Sequence, residues 1–546
     1  MTTITDVRSA VLDEQHTGDI RGALGTIALH DTAPRRGLSA TLKTLLAIVG
    51  PGLIVMVGDN DAGAFATYGQ AGQDYGTRLL WTLLLLVPVL YVNQEMVLRL
   101  GAVTGVGHAR LILERFGRFW GAFSVIDLFI LNGLTLITEF IGITLAAGYL
   151  GLPRLAAVGL AAVIIVGSAF TGSFRRFERI AVAFCGGSLL LVPVYFLAHP
   201  GAAQMAHGFV VPQLPGGTGQ LSTVMLLIIG IVGTTVAPWQ LFFQQSYVID
   251  KRITPRFIRY EKADLWIGIV IVVIGGAALM GATAAAFAHS GGLGHFTDSA
   301  GLARGLQAYG GRVTGVLFAI ALLDASVIGA FAVSLSTAYA IGDVLGLRHS
   351  LHRGVRNAKG FYAVYAGLVA LAAVIVLVPG SPLGLLTEGV QVLAGVLLPS
   401  ASVFLLLLCN DREVLGPWVN GRRINLFTAG VVAVLVTLSV ILTASVLFPA
   451  ITAGQIVTIM AVCGAAAALA AGYALARRLR TGSQATLAAP DAGRAARENW
   501  RMPPLALLQR PVMSTGRKIG MAALRLYLAA AMILVIVKIV RLAMGH

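Results

Sequence analysis

The chain has 546 residues, 57% of them hydrophobic and 12% charged, with a mean hydropathy of +0.83. An ordinary soluble domain carries about 25% charged residues, so this composition excludes one and points to a bilayer. The net charge of +16 would suit nucleic acid, but helical membrane proteins concentrate lysine and arginine in their cytoplasmic loops, and the distribution below favours that explanation.

The first 40 residues are polar and lack an apolar stretch followed by a small-residue cleavage site, so no signal peptide is expected. Residues 1–40 read as a disordered cytoplasmic tail, with the first membrane helix as the insertion signal. Apolar windows long enough to span about 30 Å of hydrocarbon then fall at about 41–76, 79–100, 119–149, 155–172, 179–198, 221–249, 263–289, 312–344, 361–379, 385–409, 426–448 and 454–476. They are too long and too continuous for the strands of a β-barrel. Basic residues occupy every second connection: Arg110, Arg115 and Arg118; Arg175, Arg176 and Arg179; Lys251, Arg252, Arg256, Arg259 and Lys262; Arg348, Arg353, Arg356 and Lys359; Arg412, Arg422 and Arg423. Loops 199–220, 380–384 and 449–453 have none, which places the N-terminus in the cytoplasm, in what reads as a bacterial inner membrane. Residues 477–520 turn polar and basic, a cytoplasmic linker with no expected function. Residues 521–544 read either as a further span or as a helix lying at the interface.

Two of the spans are interrupted. The first contains Gly58-Asp59-Asn60-Asp61-Ala62-Gly63-Ala64, two acids and an amide near mid-membrane. An aspartate there costs roughly 2.5–3.5 kcal/mol on insertion scales, so it normally faces an ion, a partner or a cavity; the alternative is a structural carboxylate capping a helix. The sixth contains Gly230-Ile231-Val232-Gly233-Thr234-Thr235-Val236-Ala237-Pro238-Trp239-Gln240, where Pro238 removes a backbone donor and the glycines relax the turn before it. One kinked membrane helix says little. Breaks in the first helices of two five-helix sets, 41–198 and 221–409, point to an inverted repeat with its site at midplane. Helices at 426–476 follow the second set. Free carbonyl oxygens and the charge of Asp61 together suit a hard cation.

At these residues the sequence resembles the Nramp family of divalent metal transporters, and more closely its Nramp-related magnesium transporter branch, over roughly 41–476. Gly50-Pro51-Gly52, Asp61-Ala62-Gly63-Ala64-Phe65-Ala66-Thr67, Gln70-Ala71-Gly72, Tyr75-Gly76, Arg99-Leu100-Gly101, Thr104-Gly105 and Leu398-Pro399 carry the likeness. The resemblance implies an all-α polytopic membrane protein with a LeuT-type inverted repeat of 5+5 helices, helices one and six broken, and additional C-terminal helices. It implies Asp61 as a metal ligand and a backbone carbonyl ligand at Thr234. Where the family places asparagine and methionine ligands, this chain has Ala64 and Ala237; where it places the histidine of a proton route, it has Trp239; and an aspartate of helix three is replaced by Leu136, while Glu139 is kept.

A thioether selects soft transition metals, whereas Mg²⁺ takes oxygen and keeps several waters. The losses therefore read as favouring a partly hydrated ion, Mg²⁺ with Mn²⁺ still admitted. Asp59 and Asn60 are candidate replacement ligands, and Glu139, Asp324, Trp239 and Gln391 are candidates for the ion path. For Asp324 a structural carboxylate is an even alternative. Glu95 reads as the partner of Arg99, four residues on and on the same helix face. No histidine falls at the centre of a span, so a histidine relay is unsupported, though a carboxylate relay through Glu139 and Asp324 remains open. The cysteines, Cys185, Cys409 and Cys463, share no ligand spacing and read as packing residues. The expected partners are the transported divalent cation and the bilayer, with no nucleic acid and no permanently bound cofactor; oligomeric state is open, with a monomer favoured. The rival functions are a proton-coupled Mn²⁺ or Fe²⁺ transporter and an amino-acid-type symporter of the same fold. No HExxH, GxSxG or phosphate-loop motif supports an enzyme.

Overall fold

The computed structural model describes residues 14–31, 33–215, 221–288, 294–378, 383–448, 451–480 and 494–509, with residue 511 and scattered positions between 516 and 537 beyond them. Two short strands, β1 (Ile20–Arg21) and β2 (Thr26–Ile27), form an antiparallel hairpin pairing Ile20 with Ile27 and Arg21 with Thr26. Helices α1 (Leu38–Ile48) and α2 (Pro51–Val57) meet at a 56° bend, and α3 (Ala62–Tyr75) follows. Then come α4 (Leu80–Thr104), α5 (His108–Phe116), α6 (Arg118–Tyr149), α7 (Arg154–Ala169), α8 (Phe174–Gly187), α9 (Leu191–Ala198) and α10 (Ala202–Val210). The second half runs α11 (Leu221–Thr235), α12 (Pro238–Asp250), α13 (Ile258–Phe287), α14 (Ser299–Leu345), α15 (Lys359–Val376) and α16 (Leu383–Cys409). Short α17 (Arg412–Leu415), then α18 (Arg422–Leu447), α19 (Ala453–Arg480) and α20 (Arg494–Asn499) complete the described helices.

Ten of the described helical stretches are long and apolar enough to cross a membrane, eleven if the bent pair α1–α2 is one span. The protein is an all-α polytopic membrane protein. The count differs from the twelve windows of the sequence because α7 is shorter than the others and because α3 runs through a 3-10 turn, Gly76–Leu79, into α4. The first helix also has two breaks rather than one. At 49–50 the chain bends into Pro51, the first residue of α2. At 58–61 the N–H of Gly58 still reaches Ile54 O, but those of Asp59 and Asn60 turn back to Met56 O and Val57 O, closing α2. In the sixth helix the N–H that would meet the carbonyl of Thr234 belongs to residue 238, a proline, so α11 ends and α12 restarts with Pro238 in its first turn.

The structure differs from the sequence reading in the segments before the first span and after the last. The segment expected to be a disordered tail carries the β1–β2 hairpin from residue 20 on, with Ile20, Ala23 and Ile27 buried; its few apolar residues find a helix surface that the sequence does not display as adjacent. Part of the polar linker is docked as well. Met502 is buried and its N–H donates to Val103 O at 3.3 Å, Trp500 packs on Gly416, and the Arg497 guanidinium lies 4.2 Å from the centre of the Trp418 ring. Most of 521–544 lies outside the described residues, although Leu524 and Tyr527 pack beside Leu131, Leu393 and Leu397.

Glycine lets the broken helices approach their neighbours closely. A Cβ on Gly233 of α11 would lie 2.1 Å from Gln391 O and 2.5 Å from Gly395 N of α16. The obstruction is backbone, which cannot step aside. Gly233→Leu is therefore expected to destabilise the fold beyond the ~1–3 kcal/mol typical of an overpacked core, read as a lowered melting temperature in detergent; Gly148→Leu, with open space at the Cβ position, should leave it within error.

Candidate functional site

Asp61 ends the break in the first helix as the N-cap of α3 (φ −78°, ψ −171°), its Oδ1 accepting the Ala64 N–H at 2.9 Å. An N-cap carboxylate answers the free N–H groups and the positive end of the helix, so the structural role weighed for Asp61 is real. It uses one oxygen and leaves acceptor capacity on the group. Glu139 of α6 stands beside it, accepting the Ala62 N–H on Oε2 at 3.2 Å and in hydrogen-bond contact with Asp61. Both carboxylates are buried, and Glu139 Oε1 has no hydrogen-bond partner.

Small residues make room for the pair. A Cβ on Gly329 of α14 would fall 2.8 Å from the Glu139 carboxylate and 3.0 Å from Asp61 Cβ, and one on Gly63 would meet Gln391 Nε2 at 1.8 Å and Asp61 Oδ1 at 3.1 Å. Gln391 of α16 thus packs over Gly63, with its Nε2 unpartnered. From the sixth helix, Thr234 contributes a hydroxyl without a partner and the carbonyl freed by Pro238. Trp239 is buried and covers Gly58, and its own carbonyl accepts from Ser336 Oγ at 2.9 Å. Ala64 and Ala237 present methyl groups; Ala64 takes part through the N–H that holds Asp61, and Ala237 as the N-cap residue of α12.

The remaining sequence candidates separate from this group. Asp59 Oδ1 accepts from Gln240 Nε2, whose Oε1 in turn accepts from Gln94 Nε2 at 2.8 Å. Asn60 is turned toward α13, donating to Val272 O at 3.3 Å against Gly275. Asp324 is half-buried against Gly187 of the α8 segment. Gly329, the α14 residue facing Asp61, lies five positions on, about 140° around the helix from Asp324. The carboxylate relay from Glu139 to Asp324 is therefore not assembled. Glu95 meets Arg99 at 3.1 Å as the spacing suggests, and also Lys262 at 2.8 Å.

Sequence reasoning passed over Gln94, Gln240, Tyr68 and Thr235. Tyr68 OH and Thr235 Oγ1 are 2.6 Å apart and join α3 to α11 across the two breaks. The signal was present: amides within apolar runs are costly unless partnered. Among the described residues no three His, Cys, Asp or Glu side chains stand close enough to hold one metal ion. A cation at Asp61 would thus draw its other ligands from carbonyls, amides and water.

Two broken helices meet at a buried carboxylate inside a bundle of long apolar helices, an arrangement that fits a LeuT-like fold of a polytopic membrane protein. Residues 52–445 match the family described as Nramp, natural resistance-associated macrophage protein-like, and the chain belongs to the Nramp family. It is 31% identical over 401 residues to a protein of Ralstonia nicotianae named divalent metal cation transporter MntH, covering 70% of this chain and 86% of that one. A protein of the same name from Burkholderia ambifaria is 27% identical over 446 residues, covering 76% and 94%. Among solved structures, the manganese transporter of Eremococcus coleocola, crystallised with an aromatic bis-isothiourea compound, superposes with a TM-score of 0.62 at 22% identity, covering 82% of this chain and 97% of that one. These relatives correct the assignment to a magnesium branch, since they are named for divalent metals or manganese. The physical reason is that Mn²⁺ accepts an all-oxygen site, so loss of a thioether and an amide does not by itself select Mg²⁺.

The geometry at Gly329 yields a test. Gly329→Ala adds one methyl group against the Glu139 carboxylate and Asp61 Cβ and should lower metal uptake by about tenfold, the effect of ~1.4 kcal/mol, with the protein still monodisperse on size exclusion. Unchanged uptake would show that the Asp61–Glu139 arrangement is not needed.

Proposed function

We propose that this chain carries Mn²⁺ across the bilayer by alternating access around Asp61, and that it is a transporter rather than an enzyme. The observation that carries the reading is the position of Asp61: it caps α3 at the break of the first helix, touches Glu139, and shares its surroundings with the break at Thr234. The names of the relatives, divalent metal cation and manganese transporters, support the ion.

In this reading the Asp61 carboxylate supplies the charge, the Thr234 carbonyl a neutral oxygen, and the Gln391 amide, rotated about its last bond, a further oxygen. Retained water completes the set, in keeping with the preference of Mn²⁺ for oxygen donors. Asp59, held by Gln240, stands one short turn along the chain from Asp61 and contributes to the field. Trp239 and Ala237 shape the cavity without binding the ion, and Asn60 braces α13. With tryptophan at 239, Glu139 is the titratable group beside Asp61 on which a coupled proton would travel. Opening one side of the site and closing the other requires the half-helices on either side of the two breaks to tilt, because a broken helix bends at far lower cost than an intact one.

Asp61→Ala in proteoliposomes is expected to reduce Mn²⁺ uptake by more than about 100-fold, beyond the 10–100-fold that loss of a merely supporting group brings, with normal size-exclusion behaviour. Glu139→Gln should retain part of the uptake. Near-normal transport by Asp61→Ala would remove Asp61 from the ion site.

A further inference from the structure

A second polar centre lies outside the ion site, at the end of the molecule that carries the arginine-rich loops. The Lys251 ammonium has three protons, and they go to Ile48 O (2.7 Å), Val49 O (2.9 Å) and Glu178 Oε1 (2.7 Å). Both side chains are fully buried. The other carboxylate oxygen, Glu178 Oε2, accepts the N–H of Ala23 at 2.6 Å, and Ala23 belongs to the turn of the N-terminal hairpin. Asp264 of α13 completes the centre by accepting the N–H groups of Gly50, Gly52 and Leu53 at the start of α2. One buried ion pair therefore joins the inner half of the first helix to α8 and α12, and the N-terminal segment closes its last open position.

The same segment is fastened on both sides. On α1, a Cβ at Gly22 would stand 2.1 Å from Ala47 O, and one at Gly25 would stand 2.9 Å from Ala47 Cβ, so the turn sits directly on the last turn of that helix. On the opposite side three arginines donate to its carbonyls: Arg179 to Ala23 O (3.1 Å), Arg252 to Gln15 O (2.8 Å) and Asp19 O (3.1 Å), and Arg256 to Asp31 O and Ala33 O (both 2.9 Å). Arg252 has φ +67°, the left-handed conformation in which helices commonly end, with the Ile253 N–H returning to Val248 O at 3.1 Å. Asp19 locks the hairpin internally by accepting the Leu29 N–H at 3.0 Å, which holds its carboxyl below the usual carboxylate range.

We propose that residues 14–31 are a latch that holds the inner half of the first helix shut against α8 and α12, and that the latch must let go of one side before the site opens toward the arginine-rich face. This rests on the alternating-access reading above. Swinging α1–α2 away from α12 pulls Ile48 O and Val49 O off Lys251. The segment, held on Ala47 by the one and on Arg179, Arg252 and Arg256 by the other, then loses either its seat or its arginines. The latch adds to the barrier for inward opening and biases the resting carrier toward the outside.

The test uses the full-length chain with Cys185, Cys409 and Cys463 replaced by alanine and a reporter, Gln244→Cys, fully buried on α12. Its maleimide labelling is measured with and without Mn²⁺ in wild-type, Gly22→Leu and Arg179→Ala/Arg256→Ala backgrounds. Gly22→Leu drives a side chain into Ala47 O, and the double variant removes donors from three carbonyls. A charge-assisted hydrogen bond is worth about a tenfold change in such an equilibrium, so both variants should label at least about tenfold faster than the parent. If Mn²⁺ alters the parent's labelling while both variants label at the parent's rate, the latch is overturned and the carrier reading stands. If Mn²⁺ alters labelling in none of them and Asp61→Ala still transports, the carrier reading itself fails. Should Gly22→Leu not fold, the double variant alone decides between these outcomes.

Discussion

Inside a bilayer a backbone N–H or C=O that leaves its helix has no water to turn to, and this molecule is organised around two helices that break in that setting. Each break is enclosed rather than exposed: residues 51–69 and 229–250 are almost wholly buried by α4, α6, α13, α14 and α16. That enclosure explains the dense glycine contacts, because unwound backbone must be approached closely by other backbone to be shielded from lipid. It also explains why side chains so expensive in hydrocarbon are gathered here. Asp61 satisfies the start of α3, Glu139 satisfies Ala62, Gln240 and Asp59 satisfy one another, and Asp264 satisfies the start of α2. Of these groups, Glu139 and Asp59 each keep one oxygen without a partner.

The two polar centres divide the work. Around Asp61 the groups retain spare acceptor capacity, shown by the unpartnered Glu139 Oε1, Asp59 Oδ2 and Thr234 Oγ1. Around Lys251 every proton of the ammonium is taken. A buried ion pair so fully satisfied is rigid, and removing one partner typically costs about 3–5 kcal/mol. Under the proposed reading, the first arrangement suits an ion that must bind and leave, and the second a gate that is either closed or open.

Family membership and ion preference rest on different grounds. The match over residues 52–445 follows the sequence through the breaks at 58–61 and at Pro238, whereas Ala64 and Ala237, on which the magnesium reading rested, are single side chains within it. Reading them as a move to Mg²⁺ treats selectivity as a property of ligand softness alone. Oxygen-rich sites admit several hard or borderline ions, and geometry and ligand count choose among them.

The fold was legible in the sequence because a bilayer imposes it locally: length, hydropathy and the alternation of arginine-rich loops depend on no distant contact. The breaks at 58–61 and at Pro238 were legible for the same reason, since glycine and proline weaken a helix wherever it packs, whereas the bend at 49–50 was not. What the sequence did not decide is which side chains meet. Asp324 and Glu139 look alike as lone acids in apolar helices, yet one rests against Gly187 and the other against Asp61 and Gly329, because helical phase relative to a partner is set by packing. Asn60 adjoins Asp61 in the chain and is spent on α13. The hairpin at 20–27 carries too few apolar residues to announce a fold; only the assembled surface of Ala47, Glu178 and the arginines gives it a place. Local chemistry wrote the helices and their breaks into the sequence, and the pairing of polar groups across distant helices was decided by tertiary structure, because a buried polar atom takes whatever partner the packing brings within reach.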